Sequence, residues 1–220
     1  MTPTKVVVLG CPGREDVTAR TLADLDGNGG GRALRIGEKW LHWSGATPPP
    51  EPPQGWLVEW SHKSRDGARV DTWRMLRWAG DCDLVYIEDD VLPCKNALPY
   101  MFRWSLDRFT TFHNLRSLPV GPWMIDGSGF WGTQAVKIPR RLLARLQAEG
   151  ADRPRQPHFG QDMVMSDLLA AWGEPIYVHR SLVQHVGAKS IHSPRSKLVG
   201  GRAPAKDFPG VDFDAMAVPF

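Results

Sequence analysis

Near-continuous apolar runs alternate along this chain with segments whose apolar residues recur three and four positions apart, the pattern of buried parallel strands interleaved with amphipathic helices. Residues 5–9 read as a first strand. The turn Gly10-Cys11-Pro12-Gly13-Arg14 follows, and a helix is predicted over 15–25 with Val17, Thr21 and Leu25 on one face. Residues 26–31 form a turn and 33–36 a short second strand. Prolines dominate 47–54 and exclude helix and sheet there, because proline has no N–H to donate. Residues 56–60 alternate as a strand, 61–69 make a polar, basic loop, and 71–79 form a helix that buries Thr72, Met75, Leu76 and Ala79. An apolar strand over 84–87 is fed by the turn Asp81-Cys82-Asp83.

In the second half, Pro93 ends that strand and Asn96 caps a helix over 97–109 whose aromatics belong to the core. Small residues alternate with aromatics over 122–132, between two expected strands. A helix over 138–149 carries Pro139 in its first turn, where a missing N–H costs nothing, and a solvated face of Arg140, Arg141 and Arg145. Gln161-Asp162 opens an amphipathic helix that buries Met165, Leu168, Leu169 and Trp172. A strand over 175–178 and a segment over 182–187 follow. The order predicts an α/β fold, a mostly parallel mixed sheet flanked by helices.

At 220 residues the chain has material for one well-buried core, hence one domain over 1–190 with a donor half of about 1–95 and an acceptor half of about 96–190. Residues 191–220 are expected to be a basic loop and C-terminal tail. No apolar run approaches the ~18 to 20 residues that cross a bilayer, and a cytoplasmic protein is expected. Cys11, Cys82 and Cys94 have neither zinc-like spacing nor an even number, and are read as free thiols. A net charge of +3 permits a polyanionic partner without demanding one.

The chemistry concentrates at Glu88-Asp89-Asp90, directly after the apolar strand. Adjacent carboxylates repel, and burial penalises each, unless protons or a cation neutralise them. The carboxyl ends of strands are where open α/β sheets collect ligands, and oxygen donors suit Mg2+ or Mn2+, which bridge to substrate phosphates. A solvated acidic turn is the plain alternative, against which the apolar strand weighs.

The segment Glu88-Asp89-Asp90-Val91 resembles the DxD-type motif of GT-A glycosyltransferases. The resemblance implies a GT-A (Rossmann-like) fold and a nucleotide-sugar donor, most often a UDP-sugar. It makes Asp90 a metal ligand and gives Glu88 and Asp89 to the donor ribose or the waters of the metal. The turn from Gly10 to Arg14 resembles, loosely, the Gly-rich loop of nucleotidyltransferases; Arg14 faces either the donor pyrophosphate or solvent. Residues 122–132 resemble the Gly-rich strand that lines the GT-A acceptor pocket, with Trp123, Gly129 and Trp131 toward the acceptor; each tryptophan reads equally well as core.

Gln161-Asp162 resembles the acidic pair that opens the acceptor-side helix of inverting GT-A enzymes. That implies Asp162 as general base and Gln161, replacing the first acid, beside the acceptor; a helix cap is the alternative. Gln184-His185-Val186-Gly187 with Ser190 resembles the N-acetylglucosaminyltransferase IV type and related GT-A families, making His185 a second metal ligand. Lys189 and Ser190 then lie on the donor side, at the start of a basic run over 189–206 that folds over a diphosphate or tracks a nucleic-acid backbone.

The expectation is a metal-dependent glycosyltransferase of inverting mechanism acting on a saccharide or, alternatively, on hydroxymethylated pyrimidines in DNA; a retaining enzyme would not need Asp162 as base. A nucleotidyltransferase and a non-catalytic carbohydrate- or DNA-binding module are the readings from other classes. The sequence says nothing of oligomeric state.

Overall fold

The computed structural model describes residues 3–27, 37–62, 68–114, 118–125, 133–150, 160–186 and 205–218. Its first half is built of β1 (Thr4–Gly10), α1 (Glu15–Gly27), β2 (Lys39–Ser44), β3 (Trp56–Ser61), α2 (Ala68–Ala79) and β4 (Asp83–Glu88). The second half adds β5 (Val91–Pro93), α3 (Ala97–Arg103), β6 (Thr110–Thr111), β7 (Gly121–Trp123), β8 (Ala135–Ile138), α4 (Arg140–Glu149), α5 (Gln161–Ala171), β9 (Ile176–Val178) and β10 (Val183–His185). The main sheet has the order β3-β2-β1-β4-β8-β6-β9-β7, and β5 pairs with β10 in a separate antiparallel ribbon. The expected α/β class with a mixed sheet is what the chain forms.

Val6, Val7 and Val8 are fully buried because β1 is covered on both faces. Their side chains alternate. Val6 and Val8 pack with Leu22 and Leu25 of α1 and with the α3 residues Tyr100 and Met101, while Val7 packs with Met75, Leu76, Leu142, Leu146 and Met165 from α2, α4 and α5.

The path of the chain creates the important feature. It steps from β1 to β2 and β3 on one side, and α2 then carries it back to β4 on the other side of β1, with all these pairs parallel. The connections therefore diverge above the carboxyl ends of β1 and β4, opening a crevice there. Strand β8 runs antiparallel to β4, so the residues entering β8 return to that same end.

Several local expectations are corrected. The strand expected over 33–36 lies outside the described residues, whereas β2, over Lys39–Ser44, went unread. Two tryptophans, a histidine and no β-branched residue made it a weak strand pattern. Helix α3 stops at Arg103 instead of continuing to 109. The Lys137 ammonium on β8 donates to the carbonyls of Phe102 (3.1 Å) and Trp104 (2.5 Å) and so satisfies the acceptors left by the early stop. Asn96 does not cap α3 with its side chain: it has φ 58° and donates to Asp214 Oδ1 at 2.9 Å. Ile138 closes β8, and α4 starts only at Arg140, after Pro139.

Residues 205–218 pack on the body. Phe208, Phe213 and Met216 lie against the α1–α3 side of the core, and Asp207 accepts from the Ser181 hydroxyl at 2.5 Å. Cys11, Cys82 and Cys94 are buried, and none is in a disulfide. Among the described residues no helix is long and apolar enough to cross a membrane.

His42, on β2, is 3% exposed, and neither ring nitrogen has a hydrogen-bond partner among the described residues. Burial, helped by the Arg74 charge, pushes its pKa down to about 4. The folded protein therefore keeps His42 neutral while the unfolded chain protonates it below about pH 6.5, so its contribution to stability is lost as pH falls through that interval. Glu88 and Asp89, pushed up to about 7, act in the opposite sense, so the test is a difference between two proteins. Relative to wild type, His42→Leu should gain about 1.4 kcal/mol per pH unit between roughly pH 6 and 4 in urea titrations. A pH-independent difference would contradict the neutral, buried state.

Candidate functional site

Strand β4 delivers the acids to the crevice. Leu84, Val85 and Ile87 are fully buried, the strand ends at Glu88, and Asp89-Asp90 turn the chain into β5. Helix α1 holds this turn from below through two threonines one helical turn apart. The Thr21 hydroxyl lies 2.9 Å from Asp89 O and 3.0 Å from Val91 O, and Thr18 Oγ1 donates to Asp89 Oδ2 at 3.2 Å. Both threonines are buried.

His185 arrives on β10, whose register sets it opposite Val91, the residue after Asp90. Its Nε2 lies 2.7 Å from Asp90 Oδ2, and the Val186 N–H donates to Asp90 O at 2.8 Å. Arg14, from the β1–α1 turn, forms an ion pair with the same Asp90 Oδ2 and a second with Asp89 Oδ1 at 3.2 Å. Gly13, just before it, has φ +83°, which a glycine adopts freely and which turns the chain into α1.

Glu88 is held from the second half of the chain. Its Oε1 accepts from Thr133 Oγ1 at 2.9 Å, just before β8, and from Gln161 Nε2 at 3.1 Å, the first residue of α5. Asp162, next along α5, is half-buried, and its Oδ1 accepts from the Met163 N–H at 2.9 Å.

Crowding sets the ionisation of these groups. Burial, reinforced by the Asp90 charge, pushes Glu88 up to about 7, and burial pushes Asp89 up to about 7 despite Arg14. Burial also opposes ionisation of Asp90, but the hydrogen bond and charge of His185, with Arg14, outweigh it and hold this carboxyl below the usual range. His185 is raised in turn, its burial outweighed by Asp90. Burial raises Asp162 as well.

One ligand atom from each of Glu88, Asp90 and His185 lies within 4.8 Å of the others. Asp90 is 3% exposed, and its Oδ1 has no hydrogen-bond partner among the described residues. Two carboxylates, one of them with an orphaned buried oxygen, and an imidazole nitrogen form a donor set that fits a divalent cation of the Mn2+ or Mg2+ type.

Of the residues singled out in the sequence, Arg14, Glu88, Asp89, Asp90, Gln161 and His185 are brought together, with Asp162 beside Gln161. Arg14 is turned into the acids, where it pairs with Asp89 and Asp90. Gln161 is likewise engaged by Glu88. Gly10 ends β1, where a Cβ would lie 2.8 Å from the Trp43 ring, so packing alone accounts for a glycine there. Trp123 is not brought to the site. Register puts it opposite Ile176 at the Leu84 end of the sheet, four strands from β4, roughly 20 Å from Glu88 at ordinary strand spacings. Gly129, Trp131, Lys189 and Ser190 lie outside the described residues. Thr18 and Thr133 went unread and Thr21 was read only as part of a helix face, because a threonine gives no sign in the sequence of which carboxylate or carbonyl it meets.

Among solved structures, the mannosyltransferase PcManGT from Pyrobaculum calidifontis, in complex with GDP-Man and Mn2+, aligns with a TM-score of 0.53 and 14% identity, over 81% of this chain and 55% of that one. The glycosyltransferase GlyE from Streptococcus pneumoniae TIGR4 aligns with a TM-score of 0.49 and 10% identity, over 81% of this chain and 45% of that one. The chain thus spans about half the length of the glycosyltransferases it matches. At such identity the likeness to the mannosyltransferase is one of fold alone, a Rossmann-like α/β sheet. No family model matches the sequence, and comparison with curated proteins finds no relative.

The Thr21 hydroxyl is the sole side-chain tie recorded between α1 and the backbone of the acidic turn among the described residues. Thr21→Val keeps the shape and removes the donor, leaving two buried carbonyls short of it. A loss of about 1–3 kcal/mol in denaturant unfolding is expected. Wild-type stability would mean that the backbone of the turn stands without the Thr21 hydroxyl.

Proposed function

We propose that this chain is a metal-dependent glycosyltransferase that moves a sugar from a nucleotide-sugar donor, a UDP-sugar by preference, to an acceptor hydroxyl with inversion at the anomeric carbon. The observation that carries the reading is the Glu88–Asp90–His185 donor set at the carboxyl end of β4, with the buried Asp90 Oδ1 lacking a partner. The shared fold of a mannosyltransferase solved with GDP-Man and Mn2+ supports it.

Asp90 and His185 would hold the ion, with Glu88 as a third ligand or a partner of its waters. When bound, the ion supplies Lewis-acid stabilisation of the departing diphosphate. Asp89, gripped by Thr18 and Arg14, keeps the acidic turn in shape. Gln161, through its bond to Glu88, fixes the head of α5 against the metal residues and so sets Asp162. As general base, Asp162 would take the proton of the acceptor hydroxyl as it attacks; burial raises its proton affinity, which suits that task. Gly10 borders the donor side, and Lys189, Ser190, Gly129 and Trp131 keep their proposed donor and acceptor roles. A saccharide is the proposed acceptor. The DNA alternative drew on the basic run over 189–206, of which only Ala205 and Lys206 fall among the described residues.

The test is a panel of UDP- and GDP-sugars with and without Mn2+, scored for release of nucleoside diphosphate. Wild-type protein should turn over at least one donor only with metal, and Asp90→Asn should abolish this. Release of pyrophosphate instead would identify a nucleotidyltransferase. No turnover of any donor, with or without metal, would defeat the proposal.

Asp162→Asn retains helix-capping capacity but not the base. Transfer should fall by about 10²- to 10⁴-fold while Mn2+-dependent donor binding persists. Transfer close to the wild-type rate, or a product with retained anomeric configuration, would remove Asp162 from the reaction.

A further inference from the structure

Arg14 brings a positive charge into the acidic cluster in a way the proposed reaction leaves unused. Its side chain is only 17% exposed, and its guanidinium meets Asp89 Oδ1 at 3.2 Å and ion-pairs with Asp90 Oδ2. The same Asp90 Oδ2 also meets His185 Nε2 at 2.7 Å. Two of the three atoms that would meet a divalent ion are thus taken up by N–H hydrogens, one on an imidazole and one on a guanidinium.

These occupants and a metal are mutually exclusive at Asp90 Oδ2. An oxygen that accepts two charge-assisted hydrogen bonds has no lone pair left for a close cation, and two cations on one oxygen repel. The remaining Asp90 oxygen, Oδ1, is the unpartnered one, so a cation can begin to bind there before Oδ2 is freed.

The main chain does not oppose release of the guanidinium. The Arg14 carbonyl accepts the Thr18 N–H at 2.8 Å in the first turn of α1, which fixes the backbone while the side chain turns about its own bonds. Thr18 still holds Asp89 Oδ2 after Arg14 has left. A guanidinium fork grips a phosphate as well as a carboxylate, so the released group matches a diphosphate arriving with the metal.

We propose that Arg14 is an exchangeable counter-ion: without metal it neutralises Asp89 and Asp90, and on metal entry it leaves Asp90 and takes the diphosphate of the donor. Metal and donor are thereby coupled through one side chain. The inference rests on the metal reading of this site and adds to it the order in which the charges change hands.

The test measures Mn2+ binding to the full chain alone, and UDP or GDP binding at saturating Mn2+, by calorimetry. Arg14→Met keeps the apolar stem and removes the charge. It should bind Mn2+ alone more tightly, by roughly 5- to 150-fold, and the nucleoside diphosphate more weakly by a comparable factor. Opposite signs in one variant are what a scaffolding role would not produce. Mn2+ binding that is unchanged or weakened in Arg14→Met, with wild type binding normally, overturns the counter-ion role and leaves the metal site standing. Absence of Mn2+ binding in both proteins overturns the metal reading itself. Should Arg14→Met fail to fold, the wild-type protein decides by NMR. The Arg14 Nε–H resonance should move on adding Mg2+ and again on adding UDP, and a resonance indifferent to Mg2+ overturns the proposal.

Discussion

Glu88, Asp89 and Asp90 are consecutive, and the latter two are each 3% exposed, so their negative charges are crowded where water cannot screen them. Asp90 alone is held below the usual carboxylate range; its two neighbours are pushed up to about 7. Such a turn exists in a folded protein only if other groups absorb the charge and satisfy the oxygens. Arg14 from the β1–α1 turn, Thr18 and Thr21 from α1, Thr133 from before β8, Gln161 from α5 and His185 from β10 all converge to do this.

The topology makes that convergence possible. Reversal of strand order at β1 and β4 parts the connections above their carboxyl ends, and the antiparallel β8 returns its entry residues to the same end. The small β5–β10 ribbon then folds back over the acids, with its register setting His185 next to Asp90. Elements of the first and second halves of the chain thus meet at one carboxylate, Glu88, which β4 carries and which Thr133 and Gln161 grip.

Much of this was legible in the chain because it is written locally. Apolar runs marked β1, β4 and β9, alternation marked β3, and the three-and-four spacing marked α1, α2 and α5. The acids and His185 stood out as chemistry attached to recognisable strands. What stayed hidden depends on partners far away in sequence. The end of α3 rests on Lys137, more than thirty residues on, and the turn at Asn96 on Asp214. Strand β2 lacked β-branched residues, and its identity as a strand comes from pairing with β1 and β3. Arg14 could be weighed only between pyrophosphate and solvent, because nothing local says that the first turn of the chain folds onto the acids of β4. Trp123 carried a composition suited to sugar binding, yet its register sets it at the wrong end of the sheet.

The account stands on Asp90 and His185 being ligands of one divalent ion, with the proton between them and the Arg14 guanidinium on Asp90 giving way to it. Pulsed electron paramagnetic resonance on the Mn2+-loaded chain reads this directly, because a directly bonded imidazole nitrogen gives a resolvable 14N coupling to the manganese. The prediction is one tightly held Mn2+ per chain with a single such nitrogen, which disappears in His185→Ala while weaker binding through the carboxylates persists. Mn2+ held without nitrogen coupling in the wild-type protein, or a coupling that survives His185→Ala, would contradict the account.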